Sequence, residues 1–454
     1  MVRGAVMARS LSLGLFTILM VPCCGGLGSQ QQEDSPTLQL DGSAAQADSH
    51  PRPANELRSA QPRDMTPTVV PEDATRLAAD NLAFGVDLYA QLRAQNSGNF
   101  IFSQTSISLA LAMQYAGAAN QTAVQMAMAL HFTLPPERLH PAFDALDLAL
   151  TTASVGANRD QFQLVIANST WVQAGFSFLP SYLDLLAENY DAGLFTADFA
   201  SSPDAARADI NRWVSDQTEQ RIPQLLDPGV VKPTTRLVLA NAMFFHGTWV
   251  NGFLADGPSG TTFHAPTGDK NVSMMRSKQN NAALWGGDGW TAARLKYLGA
   301  TVSMILLVPD SGTFDAFEQG LSAQDLATML SPSTTPMAGI VHLPRFKLAT
   351  PSPLVSALAA LGMTDAFDPA LADFSGMNGA RDLFITTVIH KAIIEVNESG
   401  TTAAAATGTT TGVRIVIDLT GDTLVVDRPF LFFIRHDATG AILFQGRVLD
   451  PSQE

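Results

Sequence analysis

Ser399-Gly400-Thr401-Thr402-Ala403-Ala404-Ala405-Ala406-Thr407-Gly408-Thr409-Thr410-Thr411-Gly412-Val413 lies between Glu398 and Arg414 without one charged side chain. Small size is its common property. With a period of two, Thr401, Ala403, Ala405, Thr407, Thr409 and Thr411 face one side of a strand, and Thr402, Ala404, Ala406, Gly408, Thr410 and Gly412 the other. Either face can enter a packed sheet without burying a charge, whose desolvation is costly. Taken alone, the run reads more readily as a surface loop with an alanine-rich helical turn, so its surroundings decide.

Those surroundings belong to a chain of 454 residues, 46% hydrophobic and 15% charged, long enough for one large core or two or three ordinary ones and too apolar to be disordered throughout. Its 42 acidic against 27 basic side chains give a net charge of -15, which repels phosphate backbones and argues against a nucleic-acid or polyanion partner. Both cysteines, Cys23 and Cys24, sit near the start, so the folded part has neither a disulfide framework nor a cysteine metal site. The eight histidines are scattered without metal-ligand spacing, and neither metal nor cofactor is expected. Enzyme motifs are missing: there is no Gly-x-Ser-x-Gly elbow, no His-Glu-x-x-His and no phosphate loop, and Gly287-Asp288-Gly289 is too short to count.

Leu11 to Val21 is a short apolar run behind Arg3 and Arg9, the pattern of an export leader over residues 1–24 and too short for a permanent membrane span. Pro22-Cys23-Cys24-Gly25-Gly26 follows, and a cysteine after such a run resembles the lipid-attachment site of bacterial lipoproteins; ordinary cleavage is the alternative. Residues 25–71, rich in Gln, Ser, Asp and Pro, read as a disordered polar tether. Asn120, Asn168, Asn271 and Asn397 begin glycosylation-type triplets, which are given no weight because the leader resembles that of a bacterial lipoprotein.

From Glu72 the pattern turns helical, with Leu77, Asn81, Phe84, Leu88 and Leu92 at helical spacing. A second, buried helix is expected from a capping Ser106 through Met113. Phe162 to Val172, Leu237 to Phe245 and Val302 to Val308 read as strands, with helices over Ser181 to Tyr190 and Pro203 to Gln220. Irregular mixing of the two favours an α+β fold.

Four ordered pieces now carry a resemblance: Asn99-Phe100-Ile101-Phe102-Ser103 with Ser106-Ile107-Ser108; Asn241-Ala242-Met243-Phe244-Phe245-His246-Gly247-Thr248-Trp249; His390-Lys391-Ala392-Ile393-Ile394-Glu395-Val396-Asn397-Glu398-Ser399-Gly400-Thr401; and Asp427-Arg428-Pro429-Phe430-Leu431-Phe432 with Leu443-Phe444-Gln445-Gly446-Arg447-Val448. Together they resemble the serpin family in the family's order. The resemblance implies one α+β domain over 72–454, with three β-sheets, about nine helices and an exposed reactive-centre loop over about 398–427. It also implies a monomeric inhibitor of serine proteases. Gln104 stands where that family usually has proline, His246 where lysine is common, and Thr402 where glutamate is common.

By similarity, Ser103, Ser106, Asn241 and His390 form a polar cluster under the main sheet where its strands part. Glu398, Gly400, Thr401, Thr402, Ala403, Ala404, Ala405 and Ala406 form the hinge that follows a cut into the sheet. The family's spacing places the scissile bond between Arg414 and Ile415, making Arg414 the bait for a trypsin-like protease, whose pocket carries a carboxylate. Ile415 to Asp427 is longer than in familiar inhibitors, so Gly412-Val413, facing an elastase-like target, is the competing position. A non-inhibitory carrier or chaperone is the rival reading, and the alanines at the hinge argue against it.

Overall fold

The structure, a computed structural model, describes residues 55–154, 161–255, 261–278, 282–299, 301–331, 335–401 and 422–453. The chain divides into two units, Met1–Arg52 and Pro53–Glu454, and all described residues lie in the second. The leader, Cys23 and Cys24 fall outside them.

The first helices are α1 Pro71–Gln95, α2 Gln104–Tyr115, α3 Asn120–Ala129, α4 Pro136–Ser154, α5 Pro180–Tyr190 and α6 Pro203–Gln217. α1 opens on a proline with Glu72 and Asp73 in its first turn, where proline forfeits no helical hydrogen bond and negative charge meets the positive end of the helix dipole. Leu77, Asn81, Phe84, Leu88 and Leu92 are all buried, as their spacing predicts. α2 begins earlier than expected. Its cap is Ser103, whose Oγ accepts the Ser106 N–H at 3.1 Å, and Ser106 lies inside the helix.

Numbering in chain order the strands that matter here, β1 is Glu56–Leu57, β2 Phe100–Phe102, β3 Phe162–Gln173, β4 Leu194–Ala197, β5 Leu237–Thr248, β6 Phe346–Pro353, β7 Ile385–Val396 and β8 Gly400–Thr401. The large sheet has seven strands in the order β1-β4-β3-β5-β8-β7-β6, with β5 and β7 also paired directly. A ten-stranded and a two-stranded sheet complete the described architecture, with ten α-helices against the nine or so expected. The fold is α+β.

The large sheet is covered on both faces. Inside, α2 packs on β3 and β5 within the principal core. Outside, Ala206, Ile210 and Val214 of α6 join a second core with Ala167 and Trp171 of β3, Val238, Ala240 and Ala242 of β5, and Ile389 of β7. That outer helix lies across β3 and β5.

Residues 55–70, read from composition as part of the tether, are bound to the body. β1 pairs antiparallel with the edge strand β4, Glu56 opposite Phe195 and Leu57 opposite Leu194. The Asp64 N–H donates to the Glu188 carbonyl of α5 at 2.9 Å. Arg63 reaches two carboxylates of α4, Asp144 and Asp147, each at 2.7 Å. Composition misses such a strap because it buries little apolar surface. Main-chain pairing to a sheet edge and charge pairing hold it instead. Asp144 is fully buried, and burial pushes its carboxyl up to about 6 even beside Arg63. Neighbouring His140, its Nδ1 2.6 Å from the Tyr190 hydroxyl, is pushed down to about 4 by burial.

Candidate functional site: the parting line of the large sheet

β5 and β7 run parallel and are hydrogen-bonded from Ile385 opposite Leu237 to Ile393 opposite Phe244. Beyond that point β8 stands between them. Gly400 lies opposite Thr248, and Thr401 is paired with Gly247 of β5 on one side and Val396 of β7 on the other. The sheet is therefore already parted at one end by Gly400 and Thr401, near the start of the small, uncharged run.

Local chemistry sets this wedge. Asn397 turns the chain, its Oδ1 accepting the Ser399 N–H at 2.9 Å and the Gly400 N–H at 3.2 Å. Trp249 holds the turn through its Nε1–H to the Asn397 carbonyl at 2.9 Å and its backbone N–H to the Ser399 carbonyl at 3.0 Å. Arg345 Nε donates to Glu398 Oε1 at 2.9 Å, and a second guanidinium nitrogen bonds the same oxygen. Only glycine fits at position 400, since a Cβ there would lie 2.0 Å from the Gly247 carbonyl oxygen. Thr401 is fully buried, and its Oγ1 is 2.7 Å from the Tyr297 hydroxyl.

Further along the line, the four residues expected to cluster do meet. Asn241 of β5 lies directly opposite His390 of β7, over the start of α2. His390 Nε2 accepts the Ser103 N–H at 3.0 Å, so that nitrogen carries no proton and Nδ1–H donates to Asn241 Oδ1. Asn241 Nδ2 donates to the Ser106 carbonyl at 3.0 Å and to Ser106 Oγ at 2.7 Å. The ring is fully buried and faces the positive end of α2, and burial pushes its pKa down to about 3. The Nδ1–H to Oδ1 bond crosses the line between β5 and β7.

Asn168 of β3 completes the cluster, paired with Asn241 in register and accepting from its Nδ2. The glycosylation-type triplet it begins says nothing of this place, which only strand register shows. The departure at Gln104 has a consequence as well. Its amide is buried at the first position of α2 behind the cap, with neither polar atom hydrogen-bonded among the described residues.

Thr402, Ala403, Ala404, Ala405, Ala406, Arg414 and Ile415 lie outside the described residues, as do Gly412 and Val413. Among the described residues no group of His, Cys, Asp and Glu side chains is placed to hold a metal, and no helix is long and apolar enough to cross a membrane.

The model of the serpin (serine protease inhibitor) family matches residues 79–451. The leukocyte elastase inhibitor of Bos taurus is 38% identical over 385 residues, covering 83% of this chain and all of its own length. Its Homo sapiens counterpart is 37% identical over 386 residues, with the same coverage. The crystal structure of uncleaved ovalbumin superposes with a TM-score of 0.72 at 28% identity, over 83% of this chain and all of its own. Sequence, sheet topology and relatives agree that the chain belongs to the serpin family and is a protease inhibitor, not an enzyme.

Proposed function

We propose that this serpin traps a trypsin-like serine protease by suicide-substrate insertion of its loop, with cleavage between Arg414 and Ile415. The observation that carries the reading is the wedge of Gly400 and Thr401 between β5 and β7, which marks where a new central strand enters. Continuing both registers one residue at a time brings Thr407 opposite Asn241 and His390 together, and Thr411 opposite Leu237 at the far end of β5. No residue from Thr402 to Thr411 carries a charge or a bulky side chain. On the inward face set by buried Thr401, the entering side chains are Ala403, Ala405, Thr407, Thr409 and Thr411. Thr407 brings a hydroxyl to the place where the Asn241 to His390 bond must break.

The protease nucleophile attacks the Arg414 carbonyl, forms an acyl-enzyme and releases the segment that starts at Ile415. Insertion then races hydrolysis. About fifteen residues at roughly 3.3 Å each carry the attached protease about 50 Å. On the order of a dozen strand hydrogen bonds on each flank, at about 0.5–1.5 kcal/mol net each, drive the movement. The uncut molecule is therefore held kinetically.

A second reading keeps the trap and moves the bond to Gly412-Val413. The names of the elastase-inhibitor relatives support it, as does the length from Ile415 to Asp427. We further infer export by leader 1–24, lipid attachment at Cys23 or Cys24, a polar tether ending near residue 54, and a monomer beyond it. Apart from the tether's end, which follows from the strap beginning at residue 55, these rest on the sequence alone.

Incubation with trypsin tests the proposal. The expected product is a covalent adduct that survives denaturing electrophoresis. Arg414→Glu loses that adduct, and Thr401→Arg is cleaved without trapping, because arginine cannot occupy the buried position beside Tyr297. Full trypsin inhibition by Arg414→Glu would move the bond, and trapping by Thr401→Arg would remove the insertion mechanism.

A further inference from the structure

We propose that Tyr297 is a positioning residue for loop insertion, its hydroxyl latching Thr401 between β5 and β7 before any cut is made; the role presupposes the trap reading above. Tyr297 follows the strand Trp290–Lys296, which belongs to the ten-stranded sheet, so it is anchored outside the sheet that opens. Its ring cannot swing away. It is stacked on Trp249, with centroids 4.4 Å apart and planes 16° off parallel, and meets Phe245 edge-on at 4.9 Å. The next residue ties to β5, the Leu298 N–H donating to the Thr248 carbonyl at 2.7 Å. Gly247 leaves the room the ring needs, since a Cβ there would lie 2.7 Å from Tyr297 Cδ1.

The hydroxyl that results is fixed, buried and aimed at one partner, Thr401 Oγ1 at 2.7 Å. Burial holds the phenol well above its ordinary pKa, so it stays a neutral donor or acceptor. If Thr401 left the sheet, the Tyr297 hydroxyl would lose this partner in a place closed to water, and that penalty favours the wedged hinge. The same contact persists as the loop enters, because Thr401 is already in register with β5 and β7. The latch therefore completes the first and least rewarded step of strand addition in advance, and it acts on the race after acylation, not on the attack.

The test is Tyr297→Phe, which keeps the ring and its packing. The equilibrium constant between wedged and free hinge should fall about five- to tenfold. Two readouts follow it. Without protease, hydrogen-exchange protection of the Thr401 amide should drop by that factor. With trypsin, the rate of attack should be unchanged while more inhibitor is consumed as cleaved product for each protease trapped. Thr401→Ser should behave as wild type, Thr401→Val as Tyr297→Phe, and the double variant no worse than either single one. Unchanged Thr401 protection in Tyr297→Phe overturns the latch whatever the trapping result, as do additive effects in the double variant. Absence of any adduct with the wild-type protein would instead overturn the trap reading and leave the protection measurement to decide the latch.

Discussion

Acid should loosen the centre of the large sheet through one histidine. His390 is fully buried with Nε2 committed to the Ser103 N–H and Nδ1–H to Asn241, and its pKa is held down to about 3 against 6.5 in the unfolded chain. A group depressed in the fold contributes stability that is complete above its unfolded pKa and is lost as pH falls toward the folded one. Between pH 7 and pH 5 the unfolded chain binds this proton and the native state does not, which costs about 2 kcal/mol of stability. Other groups move in the same window. His140, pushed down to about 4, adds to the loss, while Asp144, pushed up to about 6, offsets part of it by taking its proton early in the native state. The comparison with His390→Gln isolates the effect, because the glutamine amide brings both a donor group and an acceptor oxygen and does not titrate. Urea unfolding followed by tryptophan fluorescence at the two pH values should show the wild type losing about 2 kcal/mol more than the variant. Parallel losses in the two proteins would mean that His390 does not titrate as its hydrogen bonds require.

Two other substitutions probe features outside the parting line. Arg63→Ala leaves Asp144 buried without its cation, so thermal stability at pH 7.5 should fall by about 1–3 kcal/mol, and by much less at pH 5, where a carboxyl pushed up to about 6 is protonated; equal losses at both pH values would contradict this account. Gln104→Pro removes a buried amide without a hydrogen-bond partner among the described residues and places proline at the first helical position, where no helical N–H is forfeited. Urea unfolding should show a gain of about 1 kcal/mol, and a loss would show that the amide fills space that proline cannot.

Much of this was legible in the sequence, for identifiable reasons. The buried stripe of α1 repeats at helical spacing, and Ser103, Ser106, Asn241 and His390 sit inside motifs distinctive enough to be matched as a set. The residues that escaped are those whose role depends on strand register or distant contact. Asn168 joins the cluster only because β3 and β5 pair with Asn168 opposite Asn241. Tyr297 meets Thr401 across 104 positions of chain, and no local pattern announces that meeting. The strap was misread because average composition cannot register a two-residue strand and an arginine that find partners on an edge and a helix. The cap of α2 is a smaller case of the same kind, since several serines compete there and only backbone geometry selects Ser103 over the expected Ser106.

The strap bears on how the protein should be prepared. A recombinant chain begun at Glu72, where helical periodicity starts, would discard β1 and uncover the backbone of Leu194 and Phe195 along the rim of the seven-stranded sheet. A bare rim of that kind is a docking place for another molecule's strand. Material cut there should be more prone to clump than material begun before Asn55, and a gel-filtration profile of the two would show it.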